Sequence, residues 1–218
     1  MVVTIDGPGG AGKTTISRAL AAHLNFAFLD TGALYRAIGL SALGEGQNLA
    51  NMDDAMLQAW LSRVGLELLP EGAALNGHLV EPFIRNEEVA AMASKVSALK
   101  PVREFLLDLQ RRAGQTGHLV AEGRDMGTVV FPDAQVKFFL TATEEERARR
   151  RFKDLAPHNP QLTLEQVQKE VAERDERDST RALAPLKPAQ DAVMVDSTHM
   201  SEKQVLAFMA GKVKEILA

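Results

Sequence analysis

The chain alternates short apolar runs with amphipathic stretches. Val2-Val3-Thr4-Ile5 is β-branched and apolar, and it stops at Asp6-Gly7-Pro8-Gly9-Gly10, the pattern of a buried strand feeding a glycine loop. Beyond Lys13 the period changes, with Ile16, Leu20 and Leu24 four apart on one face of a helix. Residues 26–29 predict a second strand, closed by Asp30-Thr31-Gly32, and residues 34–43 are again helical in pattern. Further strands are expected at 118–122, 136–140 and 192–195, each with a helical neighbour. Thr143, Thr163 and Ser201 each have Glu or Gln three positions on, as capping boxes require. Strand and helix in alternation imply a parallel sheet with right-handed crossovers. The expected core is a three-layer α/β/α sandwich on five parallel strands.

Residues 64–80 break that rhythm. Gly65-Leu66-Glu67-Leu68-Leu69 and the runs around Asn76-Gly77 predict a small antiparallel unit with a type I′ hairpin. Helices are expected next at 87–98 and 101–113, the second with Pro101 in its first turn. The expected organisation is a single domain over residues 1–218. Its core is 1–62 and 114–218, with an inserted lobe at about 63–113 and a lid at about 147–163.

Composition narrows the functional classes. With 218 residues and 45% hydrophobic content, the chain suits one sizeable α/β domain. A net charge of -4 does not favour nucleic acid or an anionic membrane as partner. There is no cysteine, so disulfides and thiolate–metal sites are excluded. No apolar run approaches the length of a membrane span, and the chain enters its first strand without a basic or long apolar leader. The expected location is the cytoplasm, and the expected state is a monomer.

Gly7-Pro8-Gly9-Gly10-Ala11-Gly12-Lys13-Thr14 matches G-x-x-x-x-G-K-[ST] in full. Glycines let successive backbone N–H groups turn inward around an anion, and the following helix adds its N-terminal dipole. Lys13 is placed to bridge β- and γ-phosphates, and the Thr14 hydroxyl to hold Mg²⁺. A Gly-rich connecting turn is the plain alternative. The position between the first strand and the first helix is the context the motif demands.

A phosphate loop alone gives a nucleotide and no reaction. Ligands of open parallel sheets lie beyond the carboxyl ends of the strands. The second strand ends in Asp30-Thr31-Gly32-Ala33-Leu34-Tyr35-Arg36, and the third in Glu122-Gly123-Arg124-Asp125. Arg174-Asp175-Glu176-Arg177-Asp178-Ser179-Thr180-Arg181 alternates cations and carboxylates. Arginines clustered near strand ends suit a second phosphate, because a guanidinium fork binds oxyanions bidentately. Taken singly, each arginine also reads as a solvated charge or surface ion pair. Glu122 suits a Mg²⁺-bound water, as the acid of a Walker B strand does, but helix capping or arginine pairing suits it too. Arg147-Ala148-Arg149-Arg150-Arg151, followed by Pro157-His158-Asn159-Pro160, reads as a mobile lid over the transferring group. The adjoining glutamates, and the lack of interleaved aromatics, argue against a nucleic-acid patch. The five histidines are scattered without metal-ligand spacing.

On these segments the chain resembles the bacterial cytidylate kinases over essentially its whole length. The resemblance rests on residues 5–15, 29–36, 84–89, 122–132 and 174–186. It implies transfer of the γ-phosphoryl group of ATP to CMP or dCMP, with Mg²⁺ accompanying ATP. It implies that Gly7, Pro8, Gly9, Gly10, Ala11, Gly12, Lys13, Thr14 and Thr15 hold ATP, with Arg150 or Arg151 acting from the lid. Thr31, Tyr35 and Arg36 fall at the CMP end, and Ser94, Arg103 and Asp125 at the cytosine ring. Arg36, Arg124 and Arg181 are expected on the acceptor phosphate, with Arg174 and Asp178 at the sugar. Lys13, Arg124, Arg174 and Arg181 are the expected catalytic cations, and Thr14 and Glu122 (through water) the metal contacts. Thr31 stands where serine is common, and Thr14-Thr15 where Gly-Thr is common after the lysine. Residues 69–83 match poorly. Rival readings are a kinase for UMP, dTMP or a non-nucleotide hydroxyl acceptor, and a regulatory or nucleic-acid-binding ATPase.

Overall fold

The computed structural model describes residues 1–69, 71–115, 117–157 and 159–217. Pro70 in the expected lobe and His158 in the expected lid therefore lie outside the described residues. The chain divides into two compact units, Met1–Phe28 with Gly117–Ala218, and Leu29–Thr116.

A five-stranded parallel sheet, assigned to the larger unit except for Leu29 and Asp30, comprises β1 (Val2–Asp6), β2 (Ala27–Asp30), β6 (Leu119–Gly123), β7 (Val136–Thr141) and β8 (Val193–Asp196). Its strand order is β2-β6-β1-β7-β8. Apolar runs without alternation form strands covered on both faces. Val3 and Ile5 of β1, Val120 of β6, and Val136, Phe138 and Leu140 of β7 are all buried. They share a core with Ile16 and Leu20 of α1 (Lys13–Leu24) and with Val205, Met209 and Val213 of α8 (Glu202–Leu217). A second cluster, Ala148, Val167 and Val171, joins α6 (Glu144–Leu155) to α7 (Leu164–Thr180). Register sets the strand ends level: Ile5 lies opposite Glu122, and Asp6 opposite both Gly123 and Phe139.

The smaller unit holds α2 (Thr31–Gly44), α3 (Asp54–Leu61), α4 (Glu87–Val96) and α5 (Lys100–Ala113), with the antiparallel strands β3 (Leu66–Leu69), β4 (Gly72–Leu75) and β5 (His78–Leu79). It begins at Leu29, ahead of the expected lobe boundary at residue 63. The reason is packing: α2 lies against α4 and β4, and α3 against α5. Asn76 and Gly77 both have positive φ, 50° and 79°, as the type I′ hairpin requires.

Several boundaries differ from the sequence pattern. Helix α2 starts at Thr31, three residues early, because the Asp30 carboxylate accepts a hydrogen bond from Ala33 N at 2.9 Å and caps it. Helix α3 was not expected at all; it buries Leu57, Trp60 and Leu61 behind an Asp53 cap. Residues Met126–Val130 form a single π-helical turn, in which Val129 N and Val130 N both donate to Asp125 O. The capping box at Thr163 is complete, and the Ser201–Gln204 pair also bonds in both directions. At Thr143 only half forms. Its hydroxyl accepts from Glu146 N, but the Glu146 carboxylate is taken by Arg149 and Arg150 instead.

Candidate active site

The phosphate loop joins β1 to α1 in the larger unit. Gly12 sits at the N-cap with φ 88° and brings no capping side chain, so the orphan amides of the first turn remain for an anion. Gly10 cannot be replaced without moving the loop: its φ is +75°, and a Cβ there would lie 2.8 Å from Arg147 O. Lys13 is 8% exposed, and its ammonium donates to Pro8 O at 2.7 Å, a bond that folds the side chain back along the loop. Burial, then the neighbouring Arg124 guanidinium, hold the Lys13 ammonium well below its usual range, while Glu122 pulls it back up. Thr14 is half-buried and Thr15 exposed.

Three elements of the same unit converge on this loop. From the end of β6, Glu122 is buried and electrostatically engaged with Lys13. Arg124 donates from Nε to Asp178 Oδ2 at 2.9 Å and from Nη1 to Gly123 O at 3.1 Å. From α7, Arg174 Nε lies 3.9 Å from the same Asp178 oxygen. A Cβ on Gly9 would come within 4 Å of both Arg174 and Arg124, so the two guanidinium groups cover the loop. Burial raises the Asp178 carboxyl, but Arg124 and Arg174 outweigh it and hold the group below its ordinary value. Arg181, at the C-cap of α7, donates to Ala184 O at 2.7 Å and faces Asp125 Oδ1 at 3.5 Å. Asp125 is 2% exposed.

The structure thus brings Lys13, Glu122, Arg124, Asp125, Arg174, Asp178 and Arg181 together around one loop. Of the two arginines expected on the lid, Arg150 reaches the loop: its guanidinium donates to Ala11 O, Ser197 Oγ and Ser197 O at 3.4, 3.0 and 2.7 Å. Arg151 does not; it faces Glu170 at 3.9 Å.

In the smaller unit, Thr31, Tyr35 and Arg36 lie on the first turns of α2, with Thr31 buried. Arg36 donates to Ile84 O at 2.8 Å. Arg103 on α5 stacks its guanidinium 5.8 Å from the centre of the Tyr35 ring and donates to Ser97 O at 3.2 Å. Ser94, on α4, lends its carbonyl to Ser97 Oγ at 2.8 Å. Arg85 bridges Asp30 and Glu81 at 3.0 and 2.6 Å.

Two residues around the loop carry weight that the pattern did not assign. Arg147 is 6% exposed and donates to Ala142 O at 3.0 Å and to Gly9 O at 3.2 Å, while pairing with Asp175. It ties the end of β7 and α7 to the phosphate loop. Asp6 accepts from Met126 N and Gly127 N, each at 2.8 Å, and burial pushes its carboxyl up to about 6 against those two bonds. A charged residue closing a wholly apolar strand was the available signal for Asp6. Arg147 was hidden among neighbouring arginines whose exposure only the fold separates.

Comparison with known proteins gives a consistent picture. The family described as cytidylate kinase matches residues 3–215. A cytidylate kinase of Citrifermentans bemidjiense is 46% identical, over 100% of this chain and 94% of the relative. One from Pseudomonas fluorescens is 48% identical, over 94% of this chain and 91% of the relative. Among solved structures, an uncharacterized protein from Eubacterium ventriosum aligns over 99% of this chain and 98% of its own, with TM-score 0.50 and 9% identity, a likeness of fold alone.

Proposed function

This chain belongs to the cytidylate kinase family, and we infer from that premise how its residues divide the work. The reaction is transfer of a phosphoryl group from ATP to CMP. We extend the acceptor to dCMP. ATP sits on Gly7–Thr15, where the loop amides and Lys13 meet the β- and γ-phosphates. A CMP phosphate oxygen attacks the γ-phosphorus, the bond to the β–γ bridging oxygen breaks, and ADP leaves. That oxygen is largely ionised near neutral pH, so no strong general base is required. Catalysis is alignment and neutralisation, by Lys13, Arg124, Arg174 and Arg181. The convergence of Arg124 and Arg174 over Gly9 is the single observation that supports this most directly.

The Thr14 hydroxyl and the buried Glu122 carboxylate are hard oxygen donors beside Lys13, a set that suits Mg²⁺. Mg²⁺ bound with ATP would supply charge neutralisation; Thr14 would hold it directly and Glu122 through water. Arg36, Arg124 and Arg181 take the CMP phosphate, and Arg174 and Asp178 the sugar. Thr31 and Tyr35 line the CMP end. Ser94, Arg103 and Asp125 read the base. An Asp125 carboxylate accepting from the cytosine amino group discriminates against uracil, which presents a carbonyl oxygen there. Arg150 is the lid cation for ATP, because it already reaches Ala11. The enzyme acts as a cytoplasmic monomer, without nucleic acid. Among the described residues no helix is long and apolar enough to cross a membrane.

A coupled assay of ADP release across CMP, dCMP, UMP, dTMP and AMP is the test. CMP and dCMP should turn over fastest. Turnover confined to UMP, dTMP or AMP would overturn the assignment of the base-reading residues.

A further inference from the structure

We propose that Asp6 is a positioning residue for the acceptor: by chelating the amides of Met126 and Gly127, it fixes Arg124 and Asp125 at the mouth of the phosphate loop. The inference rests on the reading of Asp125 and Arg124 as acceptor-binding residues, and adds to it the group that sets their place.

Both carboxylate oxygens of Asp6 are used, Oδ1 by Met126 N and Oδ2 by Gly127 N, each at 2.8 Å across 120 and 121 positions of sequence. Those amides open the π-helical turn, whose N-cap is Asp125 with φ −147° and ψ 24°. Asp125 then accepts from Val129 N and Val130 N at 2.9 and 3.2 Å. The turn is therefore held at its first two amides by Asp6 and closed on itself behind them. It has little room to drift. A Cβ on Gly127 would sit 3.0 Å from Thr4 Oγ1 and 3.1 Å from Lys137 Cδ, so the turn is pressed against β1 and β7. Asp6 is the last residue of β1 and immediately precedes Gly7. One side chain thus joins the start of the donor loop to the residues assigned to the acceptor.

Burial of this carboxylate runs against its own ionisation, with Asp125 adding like charge and Lys13 opposing it. A carboxyl group buried in this way, with both oxygens committed to backbone amides, is a functional-site candidate. No other carboxylate of the unit spans the two strand ends in this way among the described hydrogen bonds.

Asp6→Asn is the first test. An amide side chain offers one acceptor and one donor, so one of the two backbone N–H groups then faces another donor. We expect KM for CMP to rise about tenfold or more, with KM for ATP within about twofold, from loss of a charge-assisted bond. Hydrogen-exchange protection of the Met126 and Gly127 amides should fall in the same variant. Asp6→Glu is the companion: it keeps the charge but lengthens the side chain by a methylene, and should shift KM for CMP in the same selective way. An unchanged KM for CMP in these variants, or equal changes for CMP and ATP, would overturn the proposal. So would full protection of the two amides in Asp6→Asn. Asp125→Ala separates the two readings. If it leaves KM for CMP unaltered, the assignment of Asp125 is what fails; if it raises KM while both Asp6 variants do not, the positioning role is.

Discussion

At the scale of single residues, the site is a set of charges held against their preference. Lys13 is buried beside Arg124, and burial and that guanidinium hold its ammonium well below the usual range. A cationic group so lowered costs stability below the ordinary lysine range, and the cost falls away as pH rises through that range. Lys13→Met should therefore unfold at the same temperature or higher, while kcat falls by roughly a thousandfold, as for removal of a preorganised transition-state charge. Calorimetry and steady-state assays on the same preparation check both halves. Asp6 obeys the opposite arithmetic. Its carboxyl is raised from 3.8 to about 6, so the folded state binds the extra proton between those values and stability declines as pH rises through them. The unfolding free energy of the wild type, less that of Asp6→Asn, should drop by about 3 kcal/mol between pH 4 and pH 7, at 1.36 kcal/mol per pH unit. Asp178 runs the other way, being lowered, and loses its contribution only in acid. Denaturant titrations of the two proteins across that range decide the point; a flat difference would count against the buried charge.

At the scale of elements, α6 is the piece whose facing the sequence leaves open. Within the run of arginines from 147, which reads as a lid, Arg147 and Arg150 turn inward to the loop carbonyls of Gly9 and Ala11. Removing one partner of a buried ion pair strands the other. Arg147→Ala should therefore cost about 3 kcal/mol in urea unfolding, more than Arg149→Ala on the exposed face, which should be close to neutral. Helical period alone does not separate these neighbours, since which face is buried depends on where α7 lies. What the sequence does make legible is whatever is local. Apolar runs give all five parallel strands, Asn76-Gly77 gives the hairpin, and the glycine motif with Lys13 gives the donor loop. From the residues alone the proposed acceptor side read as clustered arginines near strand ends, and the family resemblance named its members. Its pairings, Arg124 with Asp178 and Arg181 with Asp125, join positions more than fifty apart. The π-helical turn and the clamp from Asp6 left no periodic trace. Helix α3 was missed because its eight residues offer barely two turns of pattern.

At the scale of the whole molecule, the two compact units carry different reporters. The single tryptophan, Trp60, and the single tyrosine, Tyr35, both belong to Leu29–Thr116. Trp60 is 1% exposed and donates from its indole N–H to Glu45 at 3.1 Å. Intrinsic fluorescence therefore follows the smaller unit, while far-ultraviolet circular dichroism follows both. We expect the two transitions to fall at different urea concentrations without ligand, since cooperativity is strongest within a compact unit. Coincident curves would show a single cooperative block. The sheet order has a separate consequence for synthesis. Strand β1 leaves the ribosome before its neighbours β6 and β7, which are encoded more than a hundred codons later. The central strand, with the phosphate loop behind it, must wait unpaired while Leu29–Thr116 emerges as contiguous chain able to condense early. For this molecule, the strand that carries the phosphate loop is the part most exposed to chaperones and to nascent-chain aggregation.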